Sequence, residues 1–239
     1  MQRPTSRPWV VAHRGASAVC RENTVEAFLE AGRLGADAVE MDVRRTADGA
    51  LVCHHDEALP GAGPIVVMRA AALAGLAPWI PQFAEAFEAC EGMWVNVEIK
   101  NSPFEDDHDP RDTVLRAVLD HLRRTGSAGR VLISSFNPET ARRAVGSLPG
   151  LRTALLVPRG ADLGAAARAA AAAGHDALHP ARDDLVGDPA ARIARIHDLG
   201  LEVNVWTVDD PEEIRRLGEA GADGIVTNRP DAALAALAG

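Results

Sequence analysis

Ala38-Val39-Glu40-Met41-Asp42-Val43 and Leu51-Val52-Cys53-His54 lie on either side of Thr46-Ala47-Asp48-Gly49. An Asp-Gly pair between two strand-like runs predicts a hairpin. The second arm must then run antiparallel to the first. It cannot be a parallel neighbour, because a parallel return needs a crossover of roughly a dozen residues or more. The arm is therefore an extension after the second strand and does not count among the parallel strands.

Working outward, seven more apolar runs read as strands or parts of strands besides Ala38–Val43. They are Trp9–Ala12, Trp94–Ile99, Val131–Ser134, Arg152–Val157, Ala177–His179, Val203–Trp206 and Gly224–Thr227. Helical sequence separates them. Glu22-Asn23-Thr24 opens the first helix, with Asn23 or Thr24 as its cap, and Val25, Phe28, Leu29 and Leu34 follow a helical face to Gly35. Further helices are expected over Ile80–Cys90, Asp112–Arg124, Pro138–Val145, Leu163–Ala173, Pro189–Leu199, Pro211–Ala220 and Pro230–Ala238. Strands this continuously apolar suit a sheet covered on both faces. Gly35, Gly92, Gly129, Gly174, Gly200 and Gly221 stand shortly before strands, as helix C-caps do. Eight strand–helix units in 239 residues are the arithmetic of an α/β fold, the (β/α)8 TIM barrel, with a β-hairpin extension after strand 2. No boundary divides 1–239, so a single domain is expected.

Hydrophobic residues make up 47% of the chain but aromatics only 4%, with no Tyr, so aliphatic side chains must build the core. A formal net charge of −9 argues against a nucleic-acid partner. It leaves room for an anionic small molecule, since a local cation can overrule net charge at one site. Cys20, Cys53 and Cys90 form no CxxC or zinc pattern and read as reduced thiols of a cytoplasmic protein. Met1–Pro8 is too short and polar for a signal peptide, and no apolar run is long enough for a transmembrane segment.

In such barrels the chemistry lies at the C-terminal ends of strands and in the loops that follow. Glu40 and Asp42, two apart on one strand, share a face, and Glu98 and Lys100 repeat that spacing on the next. If Glu40 points into the mouth, three carboxylates converge. Such hard oxygen ligands suit Mg²⁺ or Ca²⁺ better than zinc. Ion pairs with Arg44 or Lys100 are the simpler alternative. His13 ends the first strand, and the hairpin brings His54 or His55 back toward the rim; both suit proton transfer near neutral pH. Strand alternation puts His54 and His55 on opposite faces, so only one can face the carboxylates. Arg14 and Lys100 suit a phosphate. Gly15 lets the backbone turn straight after His13-Arg14. A phosphate site, a hard metal and two proton-transfer groups together specify phosphoester cleavage. The acids of Asn101–Pro110 read as solvated charge on the active-site side. No GxxxxGK[ST], GxGxxG or GxSxG motif supports a rival chemistry.

His13-Arg14-Gly15, Glu22-Asn23-Thr24, Glu40-Met41-Asp42-Val43, Asp48-Gly49, His55-Asp56 and Glu98-Ile99-Lys100 together resemble the glycerophosphodiester phosphodiesterase family. Ser134-Ser135-Phe136, Trp206-Thr207 and Gly221-Ala222-Asp223-Gly224-Ile225 continue the resemblance in order along the chain. It implies a TIM barrel that hydrolyses glycerophosphodiesters to glycerol 3-phosphate and an alcohol with a divalent metal. It maps the catalytic histidines to His13 and His55, and so selects His55 over His54. It maps the metal ligands to Glu40, Asp42 and Glu98 and the substrate phosphate contacts to Arg14 and Lys100.

Three departures stand out. Arg21 replaces the proline usual before Glu-Asn-Thr, Asn228 replaces the aspartate usual after the final strand, and Ala58 to Ile80 lacks the usual Arg-Thr-Thr run. These bear on the alcohol group more than on the reaction. Lysophospholipase D-type hydrolysis of lipid diesters is the alternative enzyme reading, with Pro64–Met68 and Trp79 as candidates for an apolar groove. A non-catalytic barrel that binds phosphorylated ligands is the alternative outside enzymes.

Overall fold

The hairpin register organises the start of the sheet in the computed structural model, which describes residues 7–238. The reading of Met1–Pro8 as a short polar lead falls largely outside those residues. Strand β1 (Trp9–Ala12) leads into helix α1 (Val25–Arg33), and β2 (Ala38–Arg45) pairs antiparallel with β3 (Leu51–Cys53), Val43 lying opposite Cys53. The segment after the hairpin holds a two-residue ribbon, β4 (Ala58–Leu59) and β5 (Gly63–Pro64). A 3-10 turn over Ile65–Val67 and helix α2 (Ala70–Leu76) follow, and then α3 (Phe83–Ala89).

From there strands and helices alternate: β6 (Trp94–Ile99), α4 (Thr113–Thr125), β7 (Val131–Ser135), α5 (Pro138–Ala144), β8 (Arg152–Leu156) and α6 (Leu163–Ala173). The chain closes with β9 (Ala177–His179), α7 (Pro189–His197), β10 (Glu202–Val205), α8 (Pro211–Glu219), β11 (Gly224–Thr227) and α9 (Pro230–Leu237). The sheet order is β1-β11-β10-β9-β8-β7-β6-β2-β3, and β1 also pairs with β2. Every pairing around the ring is parallel, so eight strands close into a (β/α)8 barrel and β3 stands outside it. Both the barrel and its hairpin extension thus match the expectation.

The helices begin where side chains can take up orphan backbone N–H groups. Thr24, rather than Asn23, caps α1 by accepting from the Ala27 N–H, while Asp162, Asp188 and Asp210 do the same for α6, α7 and α8. Alternation along the strands then separates two layers. Val39, Met41 and Val43 of β2 pack outward with Val95, Val97 and Ile99 of β6 and the helices Phe28, Phe83 and Leu115 belong to. Ala38, Glu40 and Asp42 occupy the other face. Trp9 and Trp94 meet edge-to-face at the strands' N-terminal ends, with ring centroids 5.5 Å apart. Buried Cys53 and Cys90 are free thiols. Among the described residues no helix is long and apolar enough to cross a membrane.

Gly15 is the tightest point between the first loop and α1. Its φ is +82°, and a Cβ there would lie 2.6 Å from the Ala27 carbonyl carbon. Only glycine meets both demands, because the left-handed conformation and the close backbone each exclude a side chain. Gly15→Ala is expected to lower stability by about 2–4 kcal/mol, as strain and overpacking together require. Urea unfolding measures it, and a loss under 1 kcal/mol would contradict this packing.

Candidate active site

Direct pairing of β2 with β6 sets the carboxylates side by side. Their register puts Glu40 beside Asn96 and Asp42 beside Glu98. All three acids are buried, and one oxygen from each lies within 4.8 Å of the others. The hairpin supplies His55 to the cavity that Glu40 and Glu98 line. Antiparallel pairing carries on past Cys53, so the His54 N–H donates to the Asp42 carbonyl at 3.1 Å. His55 therefore arrives at the rim. It lines this cavity of about 250 Å³ with His13, Arg14, Glu40, Glu98, Phe136 and Trp206, among others. His54 turns elsewhere, its Nδ1 lying 2.9 Å from the Asp56 carbonyl. Of the expected site residues, Asp42 and Lys100 do not line this cavity. They lie behind it, with Lys100 Nζ 2.9 Å from Glu98 Oε1 and 3.5 Å from Asp42 Oδ1.

The electrostatics of the acids are uneven. Burial raises the Glu40 pKa well above the usual carboxylate range, and the charges of Asp42 and Glu98 raise it further. Burial also raises Glu98, with Lys100 opposing. Burial would raise Asp42 too, but Lys100 and Arg14 outweigh it and hold that carboxyl well below its ordinary value. Glu40 Oε2 accepts from the Arg14 backbone N–H at 2.9 Å, whereas Oε1 is buried with no hydrogen-bond donor. An unsatisfied buried carboxylate oxygen beside two further carboxylates is a poor arrangement for protein alone and a good one for a hard divalent cation. Glu40, Asp42 and Glu98 therefore fit a Mg²⁺ or Ca²⁺ ion. The simpler ion-pair reading holds for Lys100 but not for Arg44, which reaches away from these acids.

The two histidines are held differently. His13 Nδ1 lies 2.8 Å from Asn228 Oδ1. The Asn228 amide is oriented from behind, its Nδ2 donating to Asp209 Oδ2 at 2.7 Å. An amide oxygen only accepts, so His13 Nδ1 carries the proton and Nε2 is left for the cavity. Burial lowers the His13 pKa, and neighbouring Arg14 lowers it further. His55 Nδ1 instead meets the Asp56 carboxylate at 2.7 Å, and this bond holds Asp56 below its usual pKa. Arg14, at φ +57°, ion-pairs with Glu22 and lies 3.3 Å from Asp42 Oδ2, while its buried Nε makes no hydrogen bond.

Four supporting residues were not singled out from the sequence for these roles. Asn23, at φ +54°, does not cap α1. It clamps Asp42, donating from Nδ2 to Oδ2 at 2.8 Å and accepting the Asp42 N–H at 3.1 Å. Arg44 is fully buried and grips the His55 carbonyl through Nε at 2.9 Å and Nη2 at 2.6 Å. Asn228 and Asp209 complete the set. The substitution at Asn228 removes a carboxylate from His13, and Asp209 stands one hydrogen bond behind. A charged or amide side chain at or just past a strand end was the available signal for Arg44, Asn228 and Asp209.

The acyl-groove candidates do not reach this cavity. Ile65 is buried under the hairpin with Val52 and Leu59, and Trp79 lies in an outer groove beside Thr24, Leu29 and Glu85, with Arg21 stacked on its ring.

The chain is similar to known proteins over nearly its whole length. A glycerophosphodiester phosphodiesterase of Caldanaerobacter subterraneus is 31% identical, over 93% of this chain and 94% of its own. The crystal structure of a glycerophosphodiester phosphodiesterase from Thermotoga maritima is 25% identical with a TM-score of 0.79, covering 94% of this chain and 96% of its own. A structure from Silicibacter pomeroyi DSS-3 is 28% identical with a TM-score of 0.85, covering 99% and 95%. The model of the glycerophosphoryl diester phosphodiesterase family matches residues 13–232, from the first histidine of the cavity into the closing helix, and the chain belongs to that family.

Proposed function

We propose that this chain is a phosphoric diester hydrolase that cleaves glycerophosphodiesters to glycerol 3-phosphate and an alcohol. The observation that carries the reading is the convergence of His13 and His55 on one cavity with Arg14, Glu40 and Glu98. A divalent cation held by Glu40, Asp42 and Glu98 would act as a Lewis acid toward a phosphate oxygen. Arg14 and Lys100 offset charge growing on the phosphoryl oxygens, Arg14 from the cavity wall and Lys100 from behind the acids. His13 suits the base, because burial keeps it neutral and its fixed tautomer presents the Nε2 lone pair. It takes the proton of the attacking hydroxyl, which is either water, giving glycerol 3-phosphate directly, or the neighbouring glycerol hydroxyl, giving a cyclic phosphate that water then opens to glycerol 3-phosphate. His55 gives a proton to the departing alkoxide, with Asp56 orienting its ring from Nδ1.

The test is release of glycerol 3-phosphate from glycerophosphocholine by metal-stripped protein, with Mg²⁺ or Ca²⁺ added back and a lysophospholipid assayed in parallel. Cation-dependent release from the glycerodiester is expected. Release unaffected by chelation would refute the metal role, and cleavage of the lysophospholipid alone would refute the substrate.

A second measurement probes the base. Asn228→Asp combined with Asp209→Asn exchanges the amide and the carboxylate while keeping a hydrogen bond between them. A carboxylate at His13 Nδ1 favours the protonated ring, so the pKa of His13 rises. The acid limb of the kcat/KM profile, where the base is lost as pH falls, should then move to higher pH by about 1 unit. An unmoved acid limb would remove His13 from that role.

A further inference from the structure

In the loop after β6, expected to carry only solvated charge, Asp106 is exposed, but Glu105 and Asp107 are drawn in toward Arg44. The Asp107 carboxylate is only 6% exposed and the Glu105 carboxylate 29%. With Glu57, two residues beyond His55, they form a second group of three acids whose ligand oxygens lie within 4.8 Å of one another. One oxygen of each is already held. Arg44 Nη1 donates to Asp107 Oδ2 at 2.6 Å, Arg44 Nη2 to Glu105 Oε2 at 3.1 Å, and the Asp106 N–H to Glu57 Oε2 at 2.8 Å. The other oxygen of Asp107, Oδ1, is sealed from water and has no donor.

We infer that Glu57, Glu105 and Asp107 form a second divalent-cation site of the Ca²⁺ type, separate from the acids of the barrel mouth. Two observations carry this independently. Two of the three carboxylates, Glu105 and Asp107, share the Arg44 guanidinium, so three acids and one cation leave two negative charges, the charge of one divalent ion. The buried Asp107 Oδ1 lacks a partner, although burial of a charged oxygen without one is costly. All donors are hard oxygens. They sit on a loop and a strand exit rather than on one rigid element, which suits the adaptable coordination of Ca²⁺ better than the strict octahedron of Mg²⁺.

The site has a structural consequence. Glu57 belongs to the segment His55-Asp56-Glu57, and Arg44 holds both the His55 carbonyl and the loop acids. An ion here would tie the His55 segment to the β6 loop at a third point, beside Arg44 and the Asp106 N–H bond to Glu57. It would thereby position His55 without touching substrate.

Calorimetric titration of the metal-stripped chain with Ca²⁺ tests this. Glu57→Gln is the informative variant, because its retained amide oxygen can still accept the Asp106 N–H while one ligand charge is lost. Two Ca²⁺ per chain are expected for the unaltered protein and one for Glu57→Gln. Glu98→Gln is expected to lose the other ion and keep this one. Equal stoichiometry in Glu57→Gln and the unaltered chain would overturn the second site, whatever Glu98→Gln does. A single ion lost in Glu57→Gln but kept in Glu98→Gln would uphold it and would instead count against the metal at the barrel mouth.

Discussion

His13→Ala is expected to lower kcat by about 10²–10⁴-fold, the range for loss of a positioned proton-transfer group. The effect should fall on kcat rather than KM, because the site keeps Arg14 and the three acids that would hold the phosphate and its cation. His13 is half-buried, and its ring is fixed by the Asn228 amide, which Asp209 orients in turn. No solvent molecule can supply a base held at that angle without the same supporting chain. Steady-state kinetics on glycerophosphocholine measure the loss, and a thermal melt close to that of the unaltered protein excludes unfolding as its cause. Turnover within a few-fold of normal would leave His55 as the only proton-transfer group and sink the paired scheme.

Glu40→Gln should act in opposite directions on activity and on metal-free stability. In the absence of a cation Glu40 is a buried acid whose pKa is raised, by burial first and then by Asp42 and Glu98. The folded state therefore holds a proton that the unfolded chain releases. Stability from this group is present at acid pH and is lost as pH rises from the ordinary carboxylate value through the raised one. A neutral amide removes that dependence. In chelator at neutral pH the variant should be more stable than the unaltered protein by about 1–3 kcal/mol, the scale of one unsatisfied buried polar group. The difference should shrink as pH falls toward the ordinary carboxylate range. Added Mg²⁺ or Ca²⁺ should raise the melting temperature of the unaltered protein more than that of the variant, and turnover of the variant should collapse. A variant less stable than the unaltered protein in chelator would contradict the crowding of charge at this site.

Most of the fold was legible because each barrel strand carries its own signal. Trp9–Ala12, Trp94–Ile99, Leu163–Ala173, Ala177–His179 and Gly224–Thr227 form over the limits their sequence suggests. Elsewhere the limits differ by one or a few residues, as at Val203–Trp206, where the strand runs over Glu202–Val205. The segment from Ala58 to Ile80 was less legible. Its two-residue strands and the seven-residue α2 are too short for a period to show, and Gly61, Gly63 and Pro64 dominate the local pattern. These pieces are held by the small apolar cluster of Val52, Leu59, Ile65 and Leu73, whose members are scattered along the sequence.

The candidate site divides along the same line. Alternation alone puts Glu40 with Asp42 and Glu98 with Lys100, because the strand period is a local property. The Asp48-Gly49 turn likewise predicts that the next arm returns antiparallel and carries His55 to the rim. What no local rule supplies is which distant side chain meets which. Arg44 shares its strand face with Glu40 and Asp42, yet its guanidinium reaches beyond the acids to the His55 carbonyl and the β6 loop. Asn228 meets His13 only because β11 closes the ring against β1, and Asp209 reaches Asn228 from the loop after β10. The sequence by itself determined the barrel, the hairpin and the face on which the acids lie, through periodicity and turn chemistry that act within a few residues. The tertiary structure alone decided the partners of His13, the anchoring of His55 and the burial of Asp107, because those contacts exist only once the ring is closed and water is excluded from it.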